Sequence, residues 1–289
     1  MSKTLRDSKK IRGKCAIAIV CAVFMLCACS EEVSTGSANL PEGIESDIFV
    51  ITEQDRKTEG GYDAQIDLNN IAGEFMITEG GDYLLYGSTE GKIVVEAYED
   101  ELVHLYLAGV NIKSLSGPAI YVSSAAKVIV TLMSDTDNTL SDSVDYKGYE
   151  DTESCLYCVA DLTINGDGNL YVYGYYADGI RSKDRIKILS GKIDVQSKGD
   201  GIRGNDGILV KAGVLKIQSE SNGLRTANQG TGEKGSIEIC GGTQEITSGG
   251  NGIYSISNLY MQDCKSSIRS VKERTRAEGV CYITEGCMD

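Results

Sequence analysis

The phrase DGIRS at residues 178–182 is followed by DGIRG at 200–204 and NGLRT at 222–226, a constant interval of 22 residues. If the copies stack, two chemistries follow. Asp178, Asp200 and Asn222 would form one column of side-chain oxygens, and Asp184, Asp206 and Asn228 a second. Hard cations such as Ca²⁺ gather about six to eight oxygens, so Asp178, Asp184, Asp200 and Asp206 are the candidate metal ligands. Asp and Asn also favour turns for purely local reasons. The second chemistry belongs to Arg181, Arg203 and Arg225. Successive residues of a strand point to opposite sides. With Ile180, Ile202 and Leu224 facing inward, the arginines face outward, ~4.8 Å apart. Their planar forks bind carboxylates in a bidentate manner.

The elements that must position these columns are short strands. Runs such as KIVVEA (92–97), LVHLYL (102–107) and KVIVTL (127–132) alternate between Gly, Asn and Asp clusters, and no helical stripe interrupts them past residue 62. Aligning on the aliphatic residue of the phrase gives Ile120, Leu156, Ile180, Ile202, Leu224, Ile253 and Ile268. A second apolar set runs through Leu162/Ile164, Ile186/Ile188, Ile208/Val210, Ile237/Ile239 and Leu259/Met261. A third runs through Leu170/Val172, Ile193/Val195 and Leu215/Ile217. Three short strands per coil of about 22 residues cannot bury their own apolar sides and must stack. The fold predicted is all-β, a parallel β-helix. The excess residues 135–154 and 228–235 are expected to project as loops.

In this register the outward stripe reads Tyr121, Tyr157, Arg181, Arg203, Arg225, Tyr254 and Arg269. The arginines answer either to aspartates of the same columns, making a salt-bridged ladder, or to a polymer bearing carboxylates. Tyr157 and Tyr254 would flank such a polymer with stacking faces. Tyr171 and Tyr173, in NLYVYGYY (169–176), are further candidates, since the chain has 16 Tyr and no Trp.

Charge and leader set the context. The formal net charge is −14, which excludes nucleic acid and anionic lipid surfaces as partners. The single histidine, His104, excludes a His-based triad or a multi-His metal site. Residues 1–14 are basic, an apolar run follows, and LCAC (26–29) has the form of a lipobox. The expected organisation is a signal peptide over 1–28, a lipidated Cys29 and tether over 29–61, and the β-helix over 62–289. Removing 1–28 takes away six Lys/Arg and one Asp, leaving 22 basic and 41 acidic side chains, a net of −19. Contact with the membrane is expected only through the lipid, on the outer face of a bacterial cell, and the chain is expected to be monomeric. Cys155, Cys158, Cys240, Cys264, Cys281 and Cys287 remain. The CxxC has no second pair at zinc spacing, so buried cysteines are expected there.

GPAIYVSSAAKVIVTLMSDTDNTLSD (117–142), DLTINGDGNLYVYGYYADGIRSKDRIKI (161–188) and KGDGIRGNDGILVKAGVLKI (198–217) resemble the bacterial carbohydrate-binding β-helix family of cell-surface lipoproteins, which is similar to pectate lyases in architecture. The resemblance spans about residues 62–289. It implies a right-handed helix, binding of cellulose-like and acidic plant polysaccharides, bound structural calcium and no catalytic residue. The family's DGIxSKD phrase carries over at Asp178, Asp184, Asp200 and Asp206. Asn222 and Asn228 depart from it, as do Cys155 and Cys158, which stand where the next copy has Gly179 and Ser182. Two other functions suit the same residues. One is a calcium-dependent lyase drawing its base from Arg181, Arg203 or Lys183. The other is a structural adhesin whose partner is protein. Acids spread evenly along a ladder favour binding over cleavage.

Overall fold

The computed structural model describes residues 49–149, 151–230 and 234–289. The lipobox and Cys29 lie outside these residues. The chain winds as a parallel β-helix with three faces. The coil that opens on Asp178–Ser182 continues through Arg185–Ile188 and Lys192–Ser197, one strand per face. Among the described residues, the first face is a sheet of nine parallel strands, from Glu74–Ile77 at one end to Thr275–Ala277 at the other. The second and third faces merge into one sheet, because the long strands Gly81–Thr89 and Leu102–Lys113 run through both. Nine rungs at ~4.8 Å make a rod of roughly 40 Å.

The three predicted apolar stacks are present. Ile120, Leu156, Ile180, Ile202, Leu224 and Ile253 pair in unbroken register along the first face. Leu162, Ile186, Ile208, Ile237 and Leu259 do so on the second face, and Leu170, Ile193 and Leu215 on the third. All of these are buried in one core.

The DGI phrase has a steric cause. A Cβ on Gly201 would come within 2.3 Å of Ile217 Cγ2 on the third face, and on Gly223 within 2.4 Å of Ile246 Cγ2. At these coils the corner between the third and first faces therefore closes only over a hydrogen. Cys155 occupies this position one coil before Gly179, and both it and Cys158 are sealed in the core. Burial pushes the Cys158 thiol up to about 12 and raises Cys155 as well.

Two register expectations are corrected. The residue opposite Ile253 is Thr275, not Ile268. Ile268 sits on the third face opposite Ile246, and Arg269 lies opposite Thr247, away from the stripe. The 22-residue period therefore continues, with a buried threonine in the aliphatic position. Within the excess assigned to 135–154, Asp137–Ser141 is a third-face strand. Its inward position holds a fully buried Asn138, whose amide oxygen accepts the backbone N–H groups of Gly109 and Val110 at 2.9 and 3.1 Å.

The body also begins earlier than residue 62. Residues 49–57 form a strap across the outer side of the second face. Thr52 caps the short helix Glu53–Arg56, and Phe49 is buried against Gly207. Asp55 is fully buried between Lys127 and Lys187, each 3.1 Å away, and accepts from Thr163 Oγ1 at 2.6 Å. Burial alone would raise this carboxyl. The hydrogen bonds from Thr163 and Thr52 and the Lys187 charge outweigh it and hold Asp55 below the usual carboxylate range.

Candidate functional site

The first face carries the stripe on its outer side: Tyr121, Tyr157, Arg181, Arg203, Arg225, Tyr254 and Arg276 follow one another in register. Two inserted loops border the face on opposite edges. One connects the third-face strand Asp137–Ser141 to the first-face strand Ser154–Cys158, and the other connects the first-face strand Leu224–Thr226 to the second-face strand Ser236–Ile239. The first loop closes over one end of the stripe. Its Tyr149 meets the Tyr121 ring edge-on, and Glu153 Oε2 pairs with Arg181 Nη1 at 2.9 Å. Tyr157 and Arg181 are consequently buried. The stripe is open from Arg203 onward, through Arg225, Tyr254 and Arg276, all partly exposed. Beside Tyr254 the second loop borders a cavity of about 450 Å³ lined by Gln229, Lys234, Ile256, Ser257 and Glu278.

Arg203 and Arg225 are each held by an aspartate of the coil before. Arg225 Nη1 lies 3.2 Å from Asp200 Oδ2, and Arg203 Nη1 lies 3.9 Å from Asp178 Oδ2. Arg276 pairs instead with Glu278 at 2.8 Å and Glu273 at 3.7 Å. Burial and the neighbouring Arg181 charge lower the Arg203 pKa. A guanidinium stays protonated through such a shift, so the column keeps a strong demand for anions. The Nε groups of Arg181, Arg203 and Arg225 are buried without a hydrogen-bond partner.

The aspartates form a ladder beneath the stripe. Asp178 Oδ1 accepts the backbone N–H of Asp200 at 2.7 Å, and Asp200 Oδ1 accepts that of Asn222 at 3.0 Å. Asn222 Oδ1 accepts that of Asn251 at 3.0 Å. Asn222 and Asn251 extend the ladder through their own amide groups. Asp178 is pushed up to about 6, by burial first and by the Asp200 charge second. In the other column, Asp206 accepts from Lys234 Nζ at 2.6 Å and from the Asn228 amide, while Arg185 lies 3.3 Å from Asp184 and 2.9 Å from Asp161.

Asp178 and Asp200 do not offer a calcium cage. Asp178 and Asp200 spend one oxygen on the next coil's backbone and turn the other to an arginine. Among the described residues no group of three or more His, Cys, Asp or Glu converges as metal ligands. Asn222 and Asn251 do the same backbone work without charge.

Tyr171 and Tyr173 lie on the third face opposite Asp194 and Gln196, so they do not join the stripe. Tyr149, Lys234, Glu278 and Arg276 were missed. Arg276 became visible only with the corrected register, and the other three are brought in by loops and by a neighbouring coil.

The family model described as "Carbohydrate-binding domain-containing protein" matches residues 72–284. A protein of the same description from Acetivibrio thermocellus (strain ATCC 27405) is 40% identical over 221 residues, covering 74% of this chain and 77% of the relative. The solved "Structure of the polysaccharide lyase-like protein from C. thermocellum, Gadolinium derivative" superposes with a TM-score of 0.73 at 29% identity, covering 78% of this chain and 97% of that one. With the family model spanning residues 72–284 and a relative 40% identical over most of both chains, the chain belongs to the carbohydrate-binding domain-containing family.

Proposed function

We propose that this protein holds acidic plant-wall polysaccharide along the open part of the first face, at Arg203, Arg225, Tyr254 and Arg276, and that a lipid on Cys29 anchors it to the outer face of the cell. The observation that carries the reading is the run of guanidinium groups at one-coil spacing, ending at a tyrosine beside a loop-bordered cavity. A polyuronate offers repeating carboxylates for the arginines and sugar rings for Tyr254. The lipobox motivates the anchor, and Cys29→Ala is expected to release the protein from membranes. A variant that stays membrane-bound makes the apolar run a signal anchor instead.

Binding without cleavage is the favoured chemistry. A lyase needs a base freed from ion pairs next to a substrate carboxylate. Of the candidate bases, Arg181 is buried against Glu153, Arg203 lies 3.9 Å from Asp178, and Lys183 is exposed past the end of the strand that carries Arg181. Burial lowers His104 to about 4, and its ring stacks on Tyr106 at 3.9 Å beside the strap. Incubation with polygalacturonate is expected to give binding and no ultraviolet absorbance from unsaturated uronate ends. Such absorbance, with or without added Ca²⁺, would establish the lyase reading.

A further inference from the structure

Cys264 and Cys287 meet, and both are free thiols in this structure. Cys264 precedes the third-face strand Lys265–Ser270, and Cys287 follows the second-face strand Cys281–Ile283. They are 23 residues apart, one more than a coil, so the chain leaves Cys264, passes once through all three faces and returns beside it. The Cys264 backbone N–H points at Cys287 Sγ at 3.4 Å, and the two thiols are themselves in hydrogen-bonding contact. Thr284 Oγ1 lies 3.1 Å from Cys287 Sγ, and Ser266 Oγ lies 3.9 Å from Cys264 Sγ. Both cysteines are buried, at 5% and 2% exposure. Burial first, and the hydrogen bond to the Cys287 thiol second, raise the Cys264 pKa.

The contact lies at an edge of the rod. Lys265–Ser270 is the last strand of its sheet and pairs on one side with Thr243–Ser248. Among the described residues its other side carries a single bridge, from Ser266 to Met288. The Ser266 N–H donates to the Cys287 carbonyl at 2.8 Å, and the Asp289 N–H donates to the Ser266 carbonyl at 3.1 Å. A coil stacked on one side only has half the neighbours of an inner coil, and such ends open first. A buried cysteine often serves only as a small apolar filler, and Cys155 and Cys158, sealed inside the rod, fit that role. A thiol pair where the chain returns on itself at an edge does more. It sits where one covalent bond would hold the returning segment down.

We infer that Cys264 and Cys287 are a site of oxidative cross-linking, whose disulfide closes the last described coil into a covalent ring. The oxidant is itself a disulfide, carried by a small molecule or a protein. One cysteine thiolate attacks it, forming a mixed disulfide and expelling one thiolate. The second cysteine thiolate then attacks the sulfur of the first and expels the other. One S–S bond forms as one breaks, two electrons pass to the oxidant, and both cysteine protons end on the departing thiols. Rotation of the contacting side chains brings the sulfurs to the ~2.05 Å of the bond. The ring encloses Thr275–Ala277, the strand that carries Arg276, and it stabilises that coil whatever the stripe binds.

The test holds the folded mature chain in oxidised glutathione until its thiol count stops changing, then denatures it in iodoacetamide and maps the peptides by mass spectrometry. A peptide pair joined through Cys264 and Cys287, lighter by two hydrogens than its separate parts, is expected. Cys264→Ser and Cys287→Ser are each expected to abolish it, and Cys281→Ser to keep it. Reduction with dithiothreitol is expected to lower the melting temperature of the oxidised parent by about 5 °C and to leave that of Cys287→Ser unchanged. Should a variant fail to fold, fragmentation of the parent's joined peptides identifies the bonded cysteines directly. Alkylation of both Cys264 and Cys287 in the parent overturns the inference. A cross-link that survives Cys287→Ser and is lost in Cys281→Ser overturns it too. A Cys264–Cys287 bond that forms but leaves oxidised and reduced protein melting together overturns its role as a fastener of the edge.

Discussion

Each residue of the DGIR phrase has one physical task. The aspartate receives the next coil's backbone N–H, the glycine lets the corner close, the aliphatic residue fills the core, and the arginine returns to the previous coil's aspartate. Asp178 gives the sharpest test of the ladder. Its folded pKa of about 6 lies above its ordinary value of 3.8. The folded state therefore binds the proton more tightly than the unfolded chain does. That contribution is fully present below about pH 4 and is lost as pH rises through 6. Asp178→Asn keeps the acceptor and removes the charge, as Asn222 already does one coil beyond Asp200. The variant's melting temperature is expected to lose the wild-type decline between about pH 4 and 6. Superimposable melting–pH profiles would mean that Asp178 is not the buried carboxylate described. Gly201→Ala is expected to cost about 1–3 kcal/mol by overpacking. Gly61→Ala, with nothing within 4 Å, is the neutral control in the same denaturant series.

Strands, loops and strap were unequally legible. The aliphatic stacks were read from sequence because burial on the inner side imposes their period. Two strands were misread because a polar residue occupies the inward position: Asn138 on the third face and Thr275 on the first. The phrase SSIRS (266–270) imitates DGIRS, and local similarity there overrode the count of 22 residues that points to Thr275. The loop contacts of the site, through Tyr149 and Glu153, carry no periodic signal. The strap was hidden for another reason. Its partners are outward residues of strands, Lys127, Thr163, Asn165 and Lys187, whose polarity suggests solvent rather than a covering segment. Removing Asp55 would leave two lysines unpaired beneath it. Asp55→Ala is expected to cost about 3–5 kcal/mol in denaturant unfolding, as breaking a buried pair does. A loss below about 1 kcal/mol would make the strap an exposed ion pair of little weight. The sign for pH is opposite to that of Asp178. Asp55 is held low, so its contribution is present above the usual carboxylate range and fades as pH falls below it.

At the scale of the whole molecule, a strongly acidic rod presents a local run of cations on one face, with an inserted loop on each edge. In the first aspartate column Asp178 and Asp200 spend their oxygens on backbone and arginine, and a chelator is expected to leave the melting temperature unchanged. A fall on adding EDTA would signal a bound cation stabilising the fold by mass action. The central claim is that the arginines of the first face hold a polyanionic glycan. Its most direct measurement is the affinity of Arg203→Ala for polygalacturonate across a salt series, beside Arg269→Ala as a third-face control. Charge contacts on an exposed face are screened by salt, so parent affinity is expected to fall as salt rises. Arg203→Ala is expected to bind about tenfold more weakly at low salt, with a shallower salt dependence, while Arg269→Ala matches the parent. Equal affinity and equal salt dependence in Arg203→Ala and parent would contradict the account and leave the stripe as an internal ladder of ion pairs.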